Sequence, residues 1–243
     1  MATPTARRAV FFACKRVVDV SASALALVLL APLLLVVAAA VKLSSPGPVL
    51  FRQERMGKGS RPFLMSKFRT MVLDAHRNGP LVTSSRDARV TPLGGFLRMT
   101  KLDELPQLWH VLVGDMSLVG PRPQTRQYFE LYRDEYSKIL EVVRPGITDF
   151  AAICYRNEEA VLAKFSEGAE TAYVRWLIPE KLRLYRLYVE RMSIRVDLYI
   201  LLNTIRVLLS PGQSPEVLGS SVGLTVAPSV QASEAGRPGR DVS

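Results

Sequence analysis

Cysteine is nearly missing: Cys14 and Cys154 are the only two in 243 residues, and neither stands in a CxxC or Cys/His spacing. That excludes a disulfide framework and a zinc cluster as organising principles, and both read as small apolar fillers or free thiols of a reducing compartment. Acidic residues are scarce in the first part of the chain, where residues 1 to 101 hold 16 Lys+Arg against 4 Asp+Glu, whereas residues 102 to 243 hold 16 against 18. An anionic partner is expected near the N-terminal half. No nucleic acid is expected, because the basic charge comes without a base-stacking aromatic cluster or a nucleic-acid motif. Charge of either sign is absent from Val20 to Val41, a run of 22 residues, which makes an ordinary soluble domain a poor description.

As a straight helix that run would reach about 33 Å, enough to cross a hydrocarbon core of about 30 Å. Two details argue against a plain anchor. Pro32, near the middle, lacks a backbone donor and clashes with the carbonyl of Val28, so the helix should kink or break there and leave each half too short to span. Positive charge flanks both ends, with Arg7, Arg8, Lys15 and Arg16 before and Lys42, Arg52, Arg55 and Lys58 after. If positive flanks stay on the cytoplasmic side, the simplest path is a helix-break-helix hairpin that enters one leaflet and returns. A kinked single span and a cleaved signal peptide, with Ala38-Ala39-Ala40 as its small-residue site, are the alternatives.

The expected organisation is a basic lead over residues 1–13, a re-entrant membrane hairpin over 14–43 broken at Pro32, a catalytic part over 44–209, and a disordered tail over 210–243. The fold class is mainly α with a small β-hairpin (α+β). Ser44-Ser45-Pro46-Gly47-Pro48 ends any helix, and the alternation from Val49 to Met71 around Gly57-Lys58-Gly59 predicts a β-hairpin. A short helical or irregular segment is expected over 93–99 and a helix from about Asp103 to Leu112. Further helices are expected over 124–143, 158–167, 171–192 and 194–209, the last amphipathic and surface-lying. Beyond Ser210, Pro, Gly, Ser and Ala dominate without periodicity.

Asp103 and Glu104 are the acidic pair that follows this basic stretch. Proline is tolerated in a first helical turn, so Pro106 predicts a helix start near Asp103 and puts that carboxylate at or near the N-cap. Such an aspartate is either a cap or an ionised carboxylate available as nucleophile or metal ligand, with Glu104 adding an oxygen ligand for a hard cation such as Mg²⁺. Gly120-Pro121-Arg122-Pro123 fixes an arginine between two prolines, a stiff support for bidentate phosphate binding. Lys67 and Arg69 alternate with Phe68, so both should point to one face of the second strand. Together these groups suggest a diphosphate substrate at a membrane surface. A membrane-anchored basic module that merely collects anionic lipid or nucleic acid would explain the charge, but not the acidic pair or the proline-flanked arginine.

Lys101-Leu102-Asp103-Glu104-Leu105-Pro106-Gln107-Leu108 and Gly114-Asp115-Met116-Ser117-Leu118-Val119-Gly120-Pro121-Arg122-Pro123 resemble the signature of the bacterial sugar transferases, the monotopic phosphoglycosyl transferases. Ser45-Pro46-Gly47-Pro48 with Phe51-Arg52-Gln53, Lys67-Phe68-Arg69-Thr70-Met71 and Arg144-Pro145-Gly146-Ile147-Thr148 are further matches, and the resemblance covers about residues 14 to 209. It implies a monotopic protein with a re-entrant hairpin broken at Pro32, interfacial helices, and a catalytic domain on the cytosolic face of the bacterial inner membrane, against anionic lipid. It implies that Asp103 attacks the β-phosphate of a UDP-sugar, releases UMP, and passes the sugar-1-phosphate to polyprenyl phosphate, undecaprenyl phosphate being the expected carrier. This would be the first membrane step of glycan assembly. Glu104 would hold Mg²⁺ or take a proton, and Asp103 and Glu104 would be the metal ligands. Arg122, Lys67 and Arg69 would bind phosphate. A homodimer is left open. The chain departs from the family pattern at Ala31, where Ser is frequent, and at His110, where Asn is common and which reads as a packing side chain. It departs again at Thr148-Asp149-Phe150, where Thr-Gly-hydrophobic is frequent and the resemblance turns the chain toward the sugar.

Overall fold

A computed structural model describes residues 4–73, 75, 87–163 and 165–209. The expected tail over 210–243 and the first three residues of the expected lead lie outside the described residues, as does most of the stretch from Gly79-Pro80 to Thr91 that its Ser, Thr, Arg and Asp mixture marks as a loop.

The N-terminal helix α1 runs from Pro4 to Ser44. It carries no glycine, its apolar stretch leaves the backbone no partner but itself, and Pro4 opens it at a position where a missing donor costs nothing. Of the kink or break expected at Pro32, the break is corrected, since the helix continues through the proline, and a bend within the helix remains the expectation. Losing one N–H costs a single bond to Val28, whereas breaking the helix in an apolar stretch would strand several backbone groups. α1 is long and apolar enough to cross a membrane by length and composition.

Both ends of α1 sit on the rest of the protein. Near its start, Lys15 forms a buried ion pair of 2.6 Å with Asp197, which also accepts from the Tyr188 hydroxyl at 2.8 Å. Arg16 donates to the carbonyls of Val111 and Leu112 at 2.6 and 2.9 Å, and Asp19 accepts from the Ser117 hydroxyl at 2.7 Å and the Leu118 N–H at 3.1 Å. Near its end, Val37 and Val41 pack with Phe68 and Leu97. Lys15 and Arg16, two of the flanking charges, therefore bond to the protein interior.

The predicted hairpin is present. Strands β1 (Leu50–Met56) and β2 (Pro62–Phe68) pair antiparallel across a 3₁₀ turn, Lys58–Ser60, with Phe51 opposite Lys67 and Arg55 opposite Phe63. Helix α2 (Pro92–Thr100) follows, then a 3₁₀ turn over Leu102–Glu104 and helix α3 (Gln107–Val113). Strand β3 (Ser117–Val119) pairs in parallel with β4 (Gly146–Thr148), a contact the sequence reading does not contain. Between them the single helix expected over 124–143 divides into α4 (Arg126–Leu131) and α5 (Arg133–Val142), broken at Tyr132 with φ −134° and ψ 41°. The remainder is helical: α6 (Phe150–Cys154), α7 (Glu158–Leu162), α8 (Ala169–Ala172), a π-turn over Tyr173–Leu177, α9 (Ile178–Arg191) and α10 (Ile194–Leu209).

The main core gathers Phe129, Tyr136, Phe150, Leu182, Tyr185, Tyr188 and Ile200 from α4, α5, α6, α9 and α10. Helix α10 buries Val196, Asp197 and Ile200 and exposes Ile194, Leu198, Leu202, Ile205 and Leu209. Those five recur every three or four residues and form one uncovered apolar stripe.

Candidate active site

The two Pro-containing blocks form one structural unit. Ser117 N–H bonds Pro145 O at 2.8 Å, Gly120 N–H bonds Thr148 O at 3.0 Å and Gly146 N–H bonds Pro121 O at 2.9 Å. The approach is so close that a Cβ on Gly120 would lie 2.4 Å from Arg144 O, and one on Gly146 would lie 2.1 Å from Gly120 N. Only glycine fits at either place. The crossing aims Arg122 across to Glu104, which accepts from both guanidinium nitrogens at 3.0 and 2.6 Å.

Lys101, at φ 59° and ψ 16°, ends α2 in the left-handed region and redirects the chain into the 3₁₀ turn that carries Asp103 and Glu104. A lysine held there is mildly strained, the kind of local cost that concentrates at functional sites. The expected position of Asp103 at the N-cap of the following helix is corrected, and with it the cap alternative. Helix α3 begins at Gln107 with Pro106 at its N-cap position and no side-chain cap bond. Asp103 is buried inside the preceding turn, and its Oδ1 has no hydrogen-bond partner among the described residues.

Charge around this turn is dense. Burial and the neighbouring Glu104 push the Asp103 carboxyl up to about 6, against the pull of Lys67, Lys101 and Arg122. Burial also works against ionised Glu104, yet the Arg122 guanidinium outweighs it and holds the carboxyl at about 2. Arg122 itself is raised above its ordinary value by Glu104. Burial, with Arg55 nearby, brings Lys67 down to about 8.

A cavity of about 890 Å³ opens beside the turn, lined at this end by Arg55, Lys67, Arg98, Lys101, Glu104 and Arg122. Of the candidate residues, Glu104, Lys67 and Arg122 line this cavity, and Asp103, buried behind the lining, lies close enough to feel the charge of all three. The structure places Arg69 elsewhere. Strand β2 ends at Phe68, so the alternation that would align Arg69 with Lys67 stops one residue too soon. The Arg69 guanidinium turns instead to the carbonyls of Val41, Ser45 and Pro48 and closes the C-terminus of α1. His110 is a supporting group, accepting from Ser66 N–H at Nε2 (3.1 Å) and facing Asp115 at Nδ1 (3.1 Å).

Arg55 is a cavity residue that sequence reasoning treated only as a flanking charge. The signal was available, because Phe51, Gln53 and Arg55 lie opposite Lys67, Met65 and Phe63 and share their face. Asp149, which the sequence marked only as a departure from the family pattern, and Lys181, which no local pattern marked, also line the cavity. Chemically, the site offers one buried carboxylate with a free oxygen beside several cations, one of them fixed in orientation by a bidentate pair. Such a set suits a diphosphate placed next to a nucleophile.

No group of three or more His, Cys, Asp or Glu side chains able to hold a metal ion occurs among the described residues. The donor set at the site is two carboxylates, with the free Asp103 oxygen among them, and this fits Mg²⁺, which keeps water and phosphate ligands and binds through one or two carboxylates.

The sequence model of bacterial sugar transferases matches residues 10–211. A UDP-N-acetylgalactosamine-undecaprenyl-phosphate N-acetylgalactosaminephosphotransferase of Aeromonas hydrophila is 35% identical over 198 residues, 81% of this chain and 44% of that protein. A UDP-glucose:undecaprenyl-phosphate glucose-1-phosphate transferase of Klebsiella pneumoniae is 40% identical over 194 residues, 79% of this chain and 39% of the relative. One of the same name from Caulobacter vibrioides is 42% identical over 201 residues, 81% of this chain and 70% of the relative. The chain therefore spans less than half the length of the first two relatives.

Proposed function

The chain belongs to the bacterial sugar transferase family, and from that premise we propose that it transfers a sugar-1-phosphate from a UDP-sugar to a polyprenyl phosphate at a membrane. The observation that carries the reading is Asp103, buried with an unbonded Oδ1 beside Lys67, Lys101 and the Arg122–Glu104 pair.

In this mechanism an Asp103 oxygen attacks the β-phosphorus of the UDP-sugar. The bond from that phosphorus to the bridging oxygen breaks, UMP leaves with the electron pair, and a phosphosugar remains on Asp103 as an acyl phosphate. An oxygen of the polyprenyl phosphate then attacks the same phosphorus, the bond to Asp103 breaks, and the carboxylate is restored. Splitting the transfer into two displacements lets one small site serve a soluble donor and a lipid acceptor in turn. Arg122, held straight by Glu104, orients and neutralises the phosphates, and Lys67 and Arg55 add charge from the β1–β2 face. Glu104 and Asp103 would hold Mg²⁺, which supplies further charge neutralisation at the diphosphate.

For the membrane, the reading is that α1 enters one leaflet, bends at Pro32 and returns, with the catalytic part on the cytosolic face of the inner membrane and the α10 stripe at the lipid surface. The support is that both ends of α1 dock on the same globular part.

The decisive experiment incubates wild type and Asp103→Asn with a panel of UDP-sugars, Mg²⁺ and polyprenyl phosphate and measures UMP. Release by wild type alone, with label from the β-phosphate trapped on the protein when the acceptor is withheld, is expected. Equal activity in the two proteins would remove Asp103 as the nucleophile. Cysteines placed at positions 8 and 58 should label from the same side of sealed vesicles, and opposite labelling would remove the hairpin.

A further inference from the structure

The same cavity has a second group of lining residues, Thr125, Asp149, Glu158, Tyr173, Lys181 and Tyr185. Five of these six residues are more than nine-tenths buried, among them Asp149 and Tyr185 at 1% exposure and Thr125 at 8%. Those three stand apart. Each presents a polar atom, Asp149 Oδ2, Tyr185 Oη and Thr125 Oγ1, with no hydrogen-bond partner among the described residues. Leaving one buried polar atom unbonded is costly, and three on one cavity wall point to a ligand that completes them.

Their chemistry is specific. Asp149 spends one oxygen capping α6, accepting from Ala152 N–H at 2.8 Å, so the other is an acceptor only. The two hydroxyls can donate or accept. A wall of one strong acceptor and two ambivalent hydroxyls matches several closely spaced O–H groups better than it matches a planar base. Position agrees. Arg122 and Lys181 both act electrostatically on the Asp149 carboxyl, and Thr125 lies three residues along the chain from Arg122. Whatever hangs directly from a phosphate held at Arg122 meets this wall first. In a UDP-sugar that is the sugar, whereas uracil stands a further phosphate and a ribose away.

Resting on the donor reading above, we infer that Asp149, Thr125 and Tyr185 form the subsite for the donor sugar's hydroxyl groups and set which sugar is taken. Asp149 is the position at which this chain carries a carboxylate where the family resemblance leads to glycine. The similar proteins are named for different sugars, N-acetylgalactosamine in one and glucose in others.

The test uses the full chain in lipid nanodiscs on an Asp103→Asn background, so that the donor is not consumed, and titrates UDP and a panel of UDP-sugars by calorimetry. Asp149→Asn keeps a capping oxygen, Thr125→Val keeps the shape, and Tyr185→Phe keeps the ring, so each removes chemistry without removing the fold. Affinity for the preferred UDP-sugar should fall on the order of tenfold in each variant, while UDP affinity stays within about twofold. Equal loss for UDP would place the nucleoside there and overturn the assignment, and so would no loss for either ligand. UMP release by the protein with native Asp103, together with undiminished sugar affinity in all three variants, would keep the transfer reading and remove this subsite. Sugar-selective binding lost in the variants, with no UMP release by the native protein, would do the reverse.

Discussion

Asp103 and Lys67 titrate toward each other, and neutral pH falls between them. Burial raises the carboxyl to about 6 and lowers the ammonium to about 8, so the nucleophile is ionised and its cationic neighbour charged only in that window. UMP release should rise as pH passes 6 and fall as it passes 8, and a Lys67→Arg variant should lose the alkaline fall. Stability carries the opposite signature. A carboxyl raised on folding favours the native state below its unfolded value near 4 and loses that contribution as pH climbs through about 6. Asp103→Asn should therefore unfold at higher temperature than wild type at pH 8, by roughly 2–3 kcal/mol, and match it near pH 4, as thermal denaturation would show. Arg122→Lys should lower kcat/KM on the order of ten- to a hundredfold, because an ammonium cannot keep both bonds to Glu104. At this scale the sequence exposed the groups whose neighbours in the chain are unusual, the acidic pair and the arginine between prolines. It misassigned Arg69, whose direction depends on where a strand stops. It singled out Asp149 only as a departure from the family pattern, because the cavity that Asp149 lines with Tyr185 forms only when α6 and α9 pack together.

Among the elements, the β1–β2 hairpin, α2 and α10 were legible because each fills a full period of alternation or helical spacing between clear turn residues. The β3–β4 pair was not. Three-residue strands have no measurable period, and here the register comes from two glycine backbones meeting across 26 residues of sequence. The division between α4 and α5 at Tyr132 likewise has no breaker residue and is imposed by packing. Adding a methyl group at Gly120 or Gly146 tests the pair directly. Either Gly→Ala substitution should cost roughly 3 kcal/mol or more of unfolding free energy, above the usual overpacking range, since the obstructing atoms are backbone and cannot turn aside. The same substitution should weaken phosphate binding, because this crossing aims Arg122.

At the level of the whole molecule, α10 turns five apolar side chains outward on the same helix whose Asp197 receives Lys15 from α1. If lipid covers that stripe, replacing Leu198, Leu202 and Ile205 with glutamine should speed amide exchange along α10 in nanodiscs while α1 keeps the protein on the bilayer. Unchanged exchange would show the stripe to be lipid-free. The long apolar helix was the plainest feature of the sequence, yet its polar partners were not, since each lies roughly a hundred residues or more away in the chain.

That separation also sets an order of events during synthesis. Lys15 emerges from the ribosome 182 residues before Asp197, and Asp19 emerges 98 before Ser117. The helix is thus made, and can be received by the membrane, well before any of the groups that will neutralise it exist. The globular part then assembles around charges already in place, and α10, made long after α1, closes the Lys15–Asp197 ion pair. A chain begun after residue 44 would reach that step with Asp197 buried and no cation to meet it.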